Sequence, residues 1–207
     1  MVKKAYIIAG IALVVVLLAV GAFVYEQGMV PGGSQASPSP TASTAFVPGQ
    51  QVTAFEAMAL AESNGQFKDW KDGKTNVSVT LISSNFCGNG KSDRWTVDYA
   101  SDSSNAVVNL DNGSISVAQA DAGQGIPPLA QRITTTGIQD SDKACSIAQD
   151  TLNDAGVYSK GLASVKLTAK SPGTYVWDVS YTLTNGGYYV VRIDASNGTV
   201  VGSDQVG

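Results

Sequence analysis

A long apolar segment lies near the start of the chain. The 21 residues from Ala5 to Tyr25 carry no charge, and Lys3 and Lys4 precede them. A helix needs roughly 20 apolar residues to cross a bilayer, and lysines on one side of it favour the cytoplasm for that side. We therefore expect a cell-membrane anchor at residues 1–26, single-pass, with the N-terminus inside and the C-terminal part extracytoplasmic. Two alternatives stay open: signal cleavage, which would give a secreted protein, and pilin-like processing near Ala5.

A polar segment follows at residues 27–51. It holds four of the seven prolines together with Gly, Ser, Thr and Ala, and it has few large apolar side chains. Such a composition cannot bury enough surface to offset the entropy of ordering the chain. The segment is therefore predicted to be a linker between the anchor and a folded part that begins at about residue 52.

Alternation of apolar and polar residues dominates the folded part, and the same pattern occurs twice. The segments 95–99 and 177–181 both read Trp-x-Val-x-Tyr, 82 residues apart, which places three large side chains on one face of a strand. A second apolar strand follows each segment, and the later Asn-Gly steps at Asn112 and Asn197 are typical of hairpin turns. The repetition predicts two copies of one structural unit.

A helical pattern precedes each set of strands. Thr53 with Glu56 forms a capping-box pattern before the first helix, and Ser141 can cap the second. The expected helices are 53–64 and 141–155, and the expected strands are 77–85, 94–100, 105–111 and 114–119, then 164–170, 175–183, 187–194 and 198–203.

These elements predict an α+β fold. It would consist of two tandem helix-plus-antiparallel-meander units after an N-terminal transmembrane helix. The domains would be the anchor, the linker, repeat 1 at 52–120, an inter-repeat linker at 121–139 and repeat 2 at 140–207. The pattern leaves open whether the two repeats share one sheet.

The succession of a helix, a Trp-x-Val strand and a strand that ends in an Asp-x-x-(x)-Gly turn resembles the PepSY domain. The segment 189–201, with Asp194 and Gly198 in its turn, shows the likeness best. The likeness covers residues 141–207 reasonably and residues 53–119 more loosely, because the first copy shortens the turn and has an insertion around Cys87. The family occurs in propeptides of thermolysin-type metallopeptidases and in anchored or secreted microbial proteins. The resemblance implies tandem PepSY-like repeats that bind and restrain a peptidase or otherwise regulate the cell surface.

Composition excludes several kinds of chemistry. The chain has no histidine, so Ser-His-Asp and Cys-His nucleophile pairs and histidine zinc sites are excluded. Asp98 and Asp178 come from different repeats and fit solvated positions, so we expect no catalytic residues, no cofactor and no metal. Beyond the apolar segment that ends at Tyr25, 11 basic residues face 17 acidic ones, a net charge of −6 that argues against nucleic acid as a partner.

Two cysteines, Cys87 and Cys145, lie in the part predicted to be extracytoplasmic, where disulfides persist. A bond between them would close a loop of about 60 residues, worth roughly 4 kcal/mol in the chain-entropy model. The alternative is two separate residues, Cys145 half-buried on a helix and Cys87 in a loop.

Other candidate sites lie in loops and at strand ends. The N-x-Ser/Thr motif occurs at Asn76, Asn112 and Asn197, which are candidates for N-glycosylation outside the cell. Tyr188 and Tyr189 lie close to a strand end, where exposed aromatic residues can form a binding surface, and Trp70, between the first helix and the first strand, either covers the core or protrudes as a contact in such a surface. The segment 194–198 superficially resembles a calcium loop, but a hairpin turn capped by side chains is the better interpretation.

We therefore expect a non-enzymatic, membrane-anchored binding or regulatory module. Its partner would be an extracytoplasmic protein, with a peptidase as the candidate implied by the resemblance, and an exposed sheet edge offers a route to bind it. The alternative is a structural component of the cell envelope or a pilin-like filament.

Overall fold

The computed structural model describes residues 45–85, 88–121 and 131–207. The predicted anchor at 1–26 and the predicted linker up to residue 44 lie outside these residues. Within the described ranges, no helix has the length and apolar character needed to span a membrane.

Three helices and eight strands make up the described part of the chain. The helices are α1 (Ala54–Ser63), α2 (Gly65–Lys71) and α3 (Ser141–Asp154). The strands are β1 (Ser78–Ser84), β2 (Arg94–Ala100), β3 (Ser104–Asp111), β4 (Ser114–Asp121), β5 (Ser159–Ser171), β6 (Thr174–Leu183), β7 (Tyr188–Asp194) and β8 (Val200–Val206). These bounds confirm the predicted elements to within a few residues, except that β5 begins earlier than expected and α2 was not predicted.

The predicted fold class is wrong. All eight strands form one antiparallel sheet in the order β4-β3-β2-β1-β5-β6-β7-β8, and β1 pairs directly with β5, as at Ile82 and Leu167. All described residues belong to one compact unit, Ala42–Gly207. The architecture is therefore one large antiparallel sheet with short helices, and not two α+β units behind a transmembrane helix. A separate meander would leave the β1 and β5 edges unpaired, whereas joining them satisfies both.

The three helices cover one face of this sheet. Helix α1 packs on β1, β2 and β3, α2 packs on β3 and β4, and α3 packs on β6 and β7. The covered face carries the large residues of both Trp-x-Val-x-Tyr segments, which are all buried as expected: Trp95, Val97, Tyr99, Trp177, Val179 and Tyr181. The hydrophobic core thus lies between the helices and one side of the sheet.

The two tryptophans have the same structural role in the two halves. The Trp95 indole N–H donates to the carbonyl of Val52 over 3.0 Å, and the Trp177 indole N–H donates to the carbonyl of Gln139 over 2.9 Å. Val52 and Gln139 each lie just before the N-cap of a helix, at Thr53 and Asp140. Each tryptophan therefore fixes the start of the helix in its own half.

The N-termini of α1 and α3 meet and share hydrogen bonds. The Ala54 amide donates to Ser141 Oγ over 2.9 Å, and the Phe55 amide donates to Asp140 Oδ1 over 3.1 Å. The predicted capping box of Thr53 with Glu56 is confirmed. The predicted cap at Ser141 is wrong: Asp140 is the N-cap, because the Ser141 hydroxyl is engaged with the carbonyl of Gly90 over 2.6 Å.

Candidate functional site

The face of the sheet opposite the helices, here called the outer face, consists mainly of short polar side chains and ion pairs. Because side chains alternate along a strand, the residues between the buried ones point to this face. Its ion pairs include Arg94 with Asp111 at 3.0 Å and Lys170 with Asp178 at 3.3 Å. Most charges on the outer face are thus paired with an opposite charge, whereas the chain as a whole has a net negative charge.

Strand β8 forms one edge of the sheet and is the most exposed strand at its apolar positions. Of the six large apolar side chains exposed in the described residues, four lie on β7 and β8. They are Tyr188 (51% exposed), Val200 (38%), Val201 (56%) and Val206 (54%). Natural edge strands usually carry lysine, proline or inward-pointing charges that prevent pairing with other chains. Strand β8 has no lysine or proline, its β-bulge lies at the Val200 end, and no other described strand pairs with its far side, so the edge from Gly202 to Val206 is open to an additional strand.

A shallow depression of about 430 Å³ lies on the outer face beside this edge. Tyr188 pairs with Val206 across β7 and β8, and Val190 lies two residues further along β7. The remaining lining residues are polar: Asn85, Ser164 and Ser180. The depression can therefore take an apolar side chain from a segment that lies along β8.

An ion-pair network stands next to the depression. The guanidinium of Arg192 pairs with Asp204 on β8 and lies 3.6 Å from Asp178 Oδ1 on β6. The hydrogen bond to Asp204 raises the pKa of Arg192 further above its usual value. The charge of Arg192 is thus already compensated, so it provides a flat guanidinium surface and not a strong attraction for a further carboxylate.

Only one of the three predicted surface aromatics is exposed. Trp70 is 3% exposed, packs against Phe67 and donates its indole N–H to Ser104 Oγ, while Tyr189 is 8% exposed and lies on the helix-covered face. Both belong to the core, so the prediction that they form a binding surface is wrong. Trp70 is buried because helix α2 places it on the core, and Tyr189 is buried because side-chain alternation along β7 places it on the helix-covered face. Tyr188 is exposed and lines the depression.

The exposed valines of β8 were missed by the sequence analysis. A signal was present, since the strand sequence VVGSDQV lacks lysine and proline. The signal could not be used without knowing that β8 is an edge strand.

The three N-glycosylation candidates differ in their surroundings. Asn76 donates its side-chain amide to Asp102 over 2.5 Å, and this hydrogen bond is the main reason why the pKa of Asp102 is lowered. A glycan on that amide nitrogen would compete with the contact. The oxygens of Asn112 and Asn197 instead accept backbone N–H groups, from Gly49 and Thr199. Glycosylation at all three positions stays a prediction.

The turn at 194–198 is capped by its own side chains. Asp194 Oδ1 accepts hydrogen bonds from the Ser196 amide and hydroxyl, and these bonds lower the pKa of Asp194. Asn197 Oδ1 accepts from the Thr199 amide over 2.8 Å. The predicted side-chain-capped hairpin turn is confirmed.

A second cavity, of about 530 Å³, lies between α3 and the start of β5. Buried Cys145 lines it together with Gly88, the residue that follows Cys87 in the chain, and its charged lining residues are Asp142 and Asp150. Cys87 lies outside the described residues, so the disulfide stays a prediction.

The two carboxylates considered for acid–base chemistry are far apart. Asp98 is on β2 and Asp178 on β6, three strand spacings away, which is about 14 Å. Carboxylate pairs that act together, as in glycosidases, are about 5 to 9.5 Å apart. Asp98 and Asp178 therefore do not form such a pair.

Comparisons with known proteins bear on the fold. No family model matches the sequence, and no curated protein matches it. Among solved structures, the chain is similar to the crystal structure of a protein from Clostridium difficile 630 described as a putative lipoprotein, with a TM-score of 0.53 and 14% sequence identity. The match covers 77% of this chain and 93% of that chain. The two proteins share a fold, and the PepSY resemblance stays a prediction.

Proposed function

We propose that the protein is a non-enzymatic binding module, held at the cell membrane and facing outward, which binds an extended segment of an extracytoplasmic protein. The observation that carries this proposal is strand β8, an open sheet edge with exposed valines and no protecting lysine or proline. An extended peptide that pairs with such an edge gains main-chain hydrogen bonds, while side-chain pockets beside the edge supply specificity.

The location is supported by two independent observations. The apolar segment from Ala5 to Tyr25 has the length of a membrane anchor, and the lysines that precede it favour an outward-facing C-terminal part. In addition, the similar solved structure is described as a putative lipoprotein, a description that fits a protein of the cell envelope.

The choice of a peptidase as the partner class rests on the PepSY resemblance of the two halves. The absence of histidine and the separation of Asp98 from Asp178 support binding without turnover. A regulatory module of this kind would occupy its partner and alter the activity of that partner.

Capture of partners by the full chain tests the proposal. The tag would be inserted in the Ser/Pro-rich segment before Ala45, outside the described strands, and the protein would be isolated from envelopes of its source organism in mild detergent. A β8 variant, Val201→Lys with Val206→Lys, places two charges on the proposed edge. A matched control, Ser116→Lys with Ala118→Lys, places two charges on the opposite edge strand β4.

We expect one extracytoplasmic protein, identified by mass spectrometry, to bind saturably to the wild type and to the β4 control. The β8 variant should bind it at least tenfold more weakly, while unfolding at a similar temperature. Equal capture by all three proteins would contradict binding at β8, and recovery of the chain alone would favour the alternative of a structural envelope component.

A further inference from the structure

The outer face of β8 has a defined order of side chains, and this order restricts what can bind there. Val206, Asp204 and Gly202 alternate along the strand and pair with Tyr188, Val190 and Arg192 of β7. Val206 and Gly202 are four residues apart, a distance of about 13 Å along the strand. The side chains of a segment that pairs with β8 would therefore lie in three different surroundings on this face, opposite Val206, Asp204 and Gly202.

The first surrounding is apolar. Val206 and Tyr188 are both more than half exposed and border the depression of about 430 Å³ together with Val190. A branched aliphatic side chain opposite Val206 would pack on the rim of this depression and remove part of these apolar surfaces from water, which is favourable at about 25 cal/mol per Å².

The second surrounding is the carboxylate of Asp204. It lies in the middle of the strip and pairs with Arg192, and the ion pair of Asp178 with Lys170 lies on the neighbouring outer face. A carboxylate opposite Asp204 would face a like charge directly across a strand pair, an arrangement that is destabilising. A lysine at this position is complementary in charge.

The third surrounding is a flat cation over a bare backbone. A Cβ atom at Gly202 would meet Nη1 of Arg192 at 3.7 Å, so the guanidinium lies beside the side-chain position of this glycine. Aromatic rings stack well on guanidinium planes. Because Asp204 and Asp178 already neutralise Arg192, a ring suits this position better than a carboxylate does.

Resting on the function proposed above, we infer that β8 selects an antiparallel segment with an aliphatic residue, a basic or neutral residue and an aromatic residue at every second position. The aliphatic side chain packs on the rim of the depression at Val206, the middle one faces Asp204, and the aromatic ring covers Gly202 and Arg192. Main-chain hydrogen bonds to β8 hold the segment, and the three side chains discriminate among segments.

Binding of a designed peptide to the full chain in detergent tests this inference. The probe is the capped peptide Lys-Thr-Val-Thr-Lys-Thr-Trp-Thr-Lys, which presents Val, Lys and Trp on one face in the order that antiparallel pairing requires. A matched peptide has Thr in place of Val and Trp, and a third has Glu in place of the central Lys. Binding is measured by fluorescence anisotropy with wild type, Val206→Lys and, on the other edge, Ala118→Lys.

We expect saturable binding of the first peptide to the wild type and to Ala118→Lys. Binding should be at least tenfold weaker for the other two peptides and for Val206→Lys. Equal binding of all three peptides, or no saturation of the first, would overturn the inferred pattern. If the pattern fails while an envelope partner is still lost from the lysine variant of β8, the proposed function stands with a different side-chain preference.

A second copy of this chain could also pair with β8. Sedimentation of the wild type and of Val206→Lys tests whether such a dimer forms. A dimer that forms without peptide and is lost in Val206→Lys would assign the edge to self-association and overturn the inference. We expect the same monomeric state for both proteins in the absence of the peptide.

Discussion

Asp98 shows how a single residue responds to its place in the sheet. It lies on the outer face of β2 between Val107 and Leu81 of the neighbouring strands, and its Oδ1 has no hydrogen-bond partner in the described part of the chain. Burial raises the pKa of Asp98 from 3.8 to about 6, and the positive charge of Lys166 opposes this rise. The folded protein therefore binds the Asp98 proton more tightly than the unfolded chain does.

The change Asp98→Asn tests this effect. The burial cost is absent below pH 3.8, where Asp98 is protonated in both states, and is fully present above pH 6, where both are charged. The asparagine variant should be more stable than the wild type by about 1 to 2 kcal/mol at pH 7.5, since the side chain keeps some solvent contact. The difference should vanish near pH 4. Urea unfolding at a series of pH values measures it.

Asp111→Asn is the control for that experiment, because Asp111 is on the same face in an exposed pair with Arg94. It should change the free energy of unfolding by less than about 0.5 kcal/mol at either pH. A pH-independent gain from Asp98→Asn would show that its carboxyl group is not desolvated.

Tryptophan burial was predictable for two residues and not for the third. Trp95 and Trp177 lie in strands whose apolar and polar residues alternate, so the two-residue period alone places each of them with Val and Tyr on one face. Trp70 sits in α2, a helix of only seven residues whose buried side chains are Phe67 and Trp70. So short a pattern gives no reliable periodicity, and the hydrogen bond of Trp70 to Ser104 comes from a residue 34 positions away.

At the scale of elements, the insertion in the first half has a structural role. Gly88 and Lys91 exchange two backbone hydrogen bonds around an Asn89-Gly90 step with positive φ at both residues, which is a tight hairpin turn. The turn packs on the N-terminus of α3, where the Ser141 hydroxyl donates to the Gly90 carbonyl. The hairpin of one half thus supports the helix of the other.

The change Gly90→Ala tests this contact. Its Cβ would lie 2.2 Å from the Cα of Asp142, and its φ of +78° is strained for alanine. Gly73→Ala is the matched control, since Gly73 has a φ of +68° and no neighbour within 4 Å. Strain alone should cost the control about 1 kcal/mol, whereas Gly90→Ala should lose about 2 kcal/mol more through overpacking. Equal losses in urea unfolding would show that the turn does not press on α3.

At the scale of the whole molecule, the predicted disulfide would link the two halves. Cys145 is buried on α3 in the second half, and Cys87 belongs to the insertion in the first. Gly88, which follows Cys87, lines the same cavity as Cys145.

Peptide mapping of the full chain, alkylated before and after reduction, measures the bond directly. We expect one linked peptide pair that separates on reduction. Reduction should lower the stability of the wild type by roughly 4 kcal/mol, the value for a loop of about 60 residues. The variant Cys87→Ser should show no further loss on reduction. Alkylation of both cysteines in the unreduced, denatured protein would rule the bond out.

Most of the individual elements followed from the sequence alone. Capping residues, Asn-Gly turns and the two periods of apolar residues are local features, and a helix or strand is specified mainly by its own residues and near neighbours. The repeat of Trp-x-Val-x-Tyr likewise identified which face of β2 and β6 is buried. These parts of the prediction needed no knowledge of long-range contacts.

Only the tertiary structure decided how the two halves join and which residues reach a surface. Any two strands can pair through their backbones, so side-chain alternation does not encode that β1 pairs with β5 or that β8 is an edge. The exposure of Val206 follows from that pairing order, and the helices that cover one face decide which side of the alternating strand β7 is buried, so that Tyr189 lies in the core and Tyr188 is exposed. The sequence by itself determined the elements and their buried sides. The open edge at β8 depends on the strand order, because a strand forms an edge only when no strand pairs with its other side.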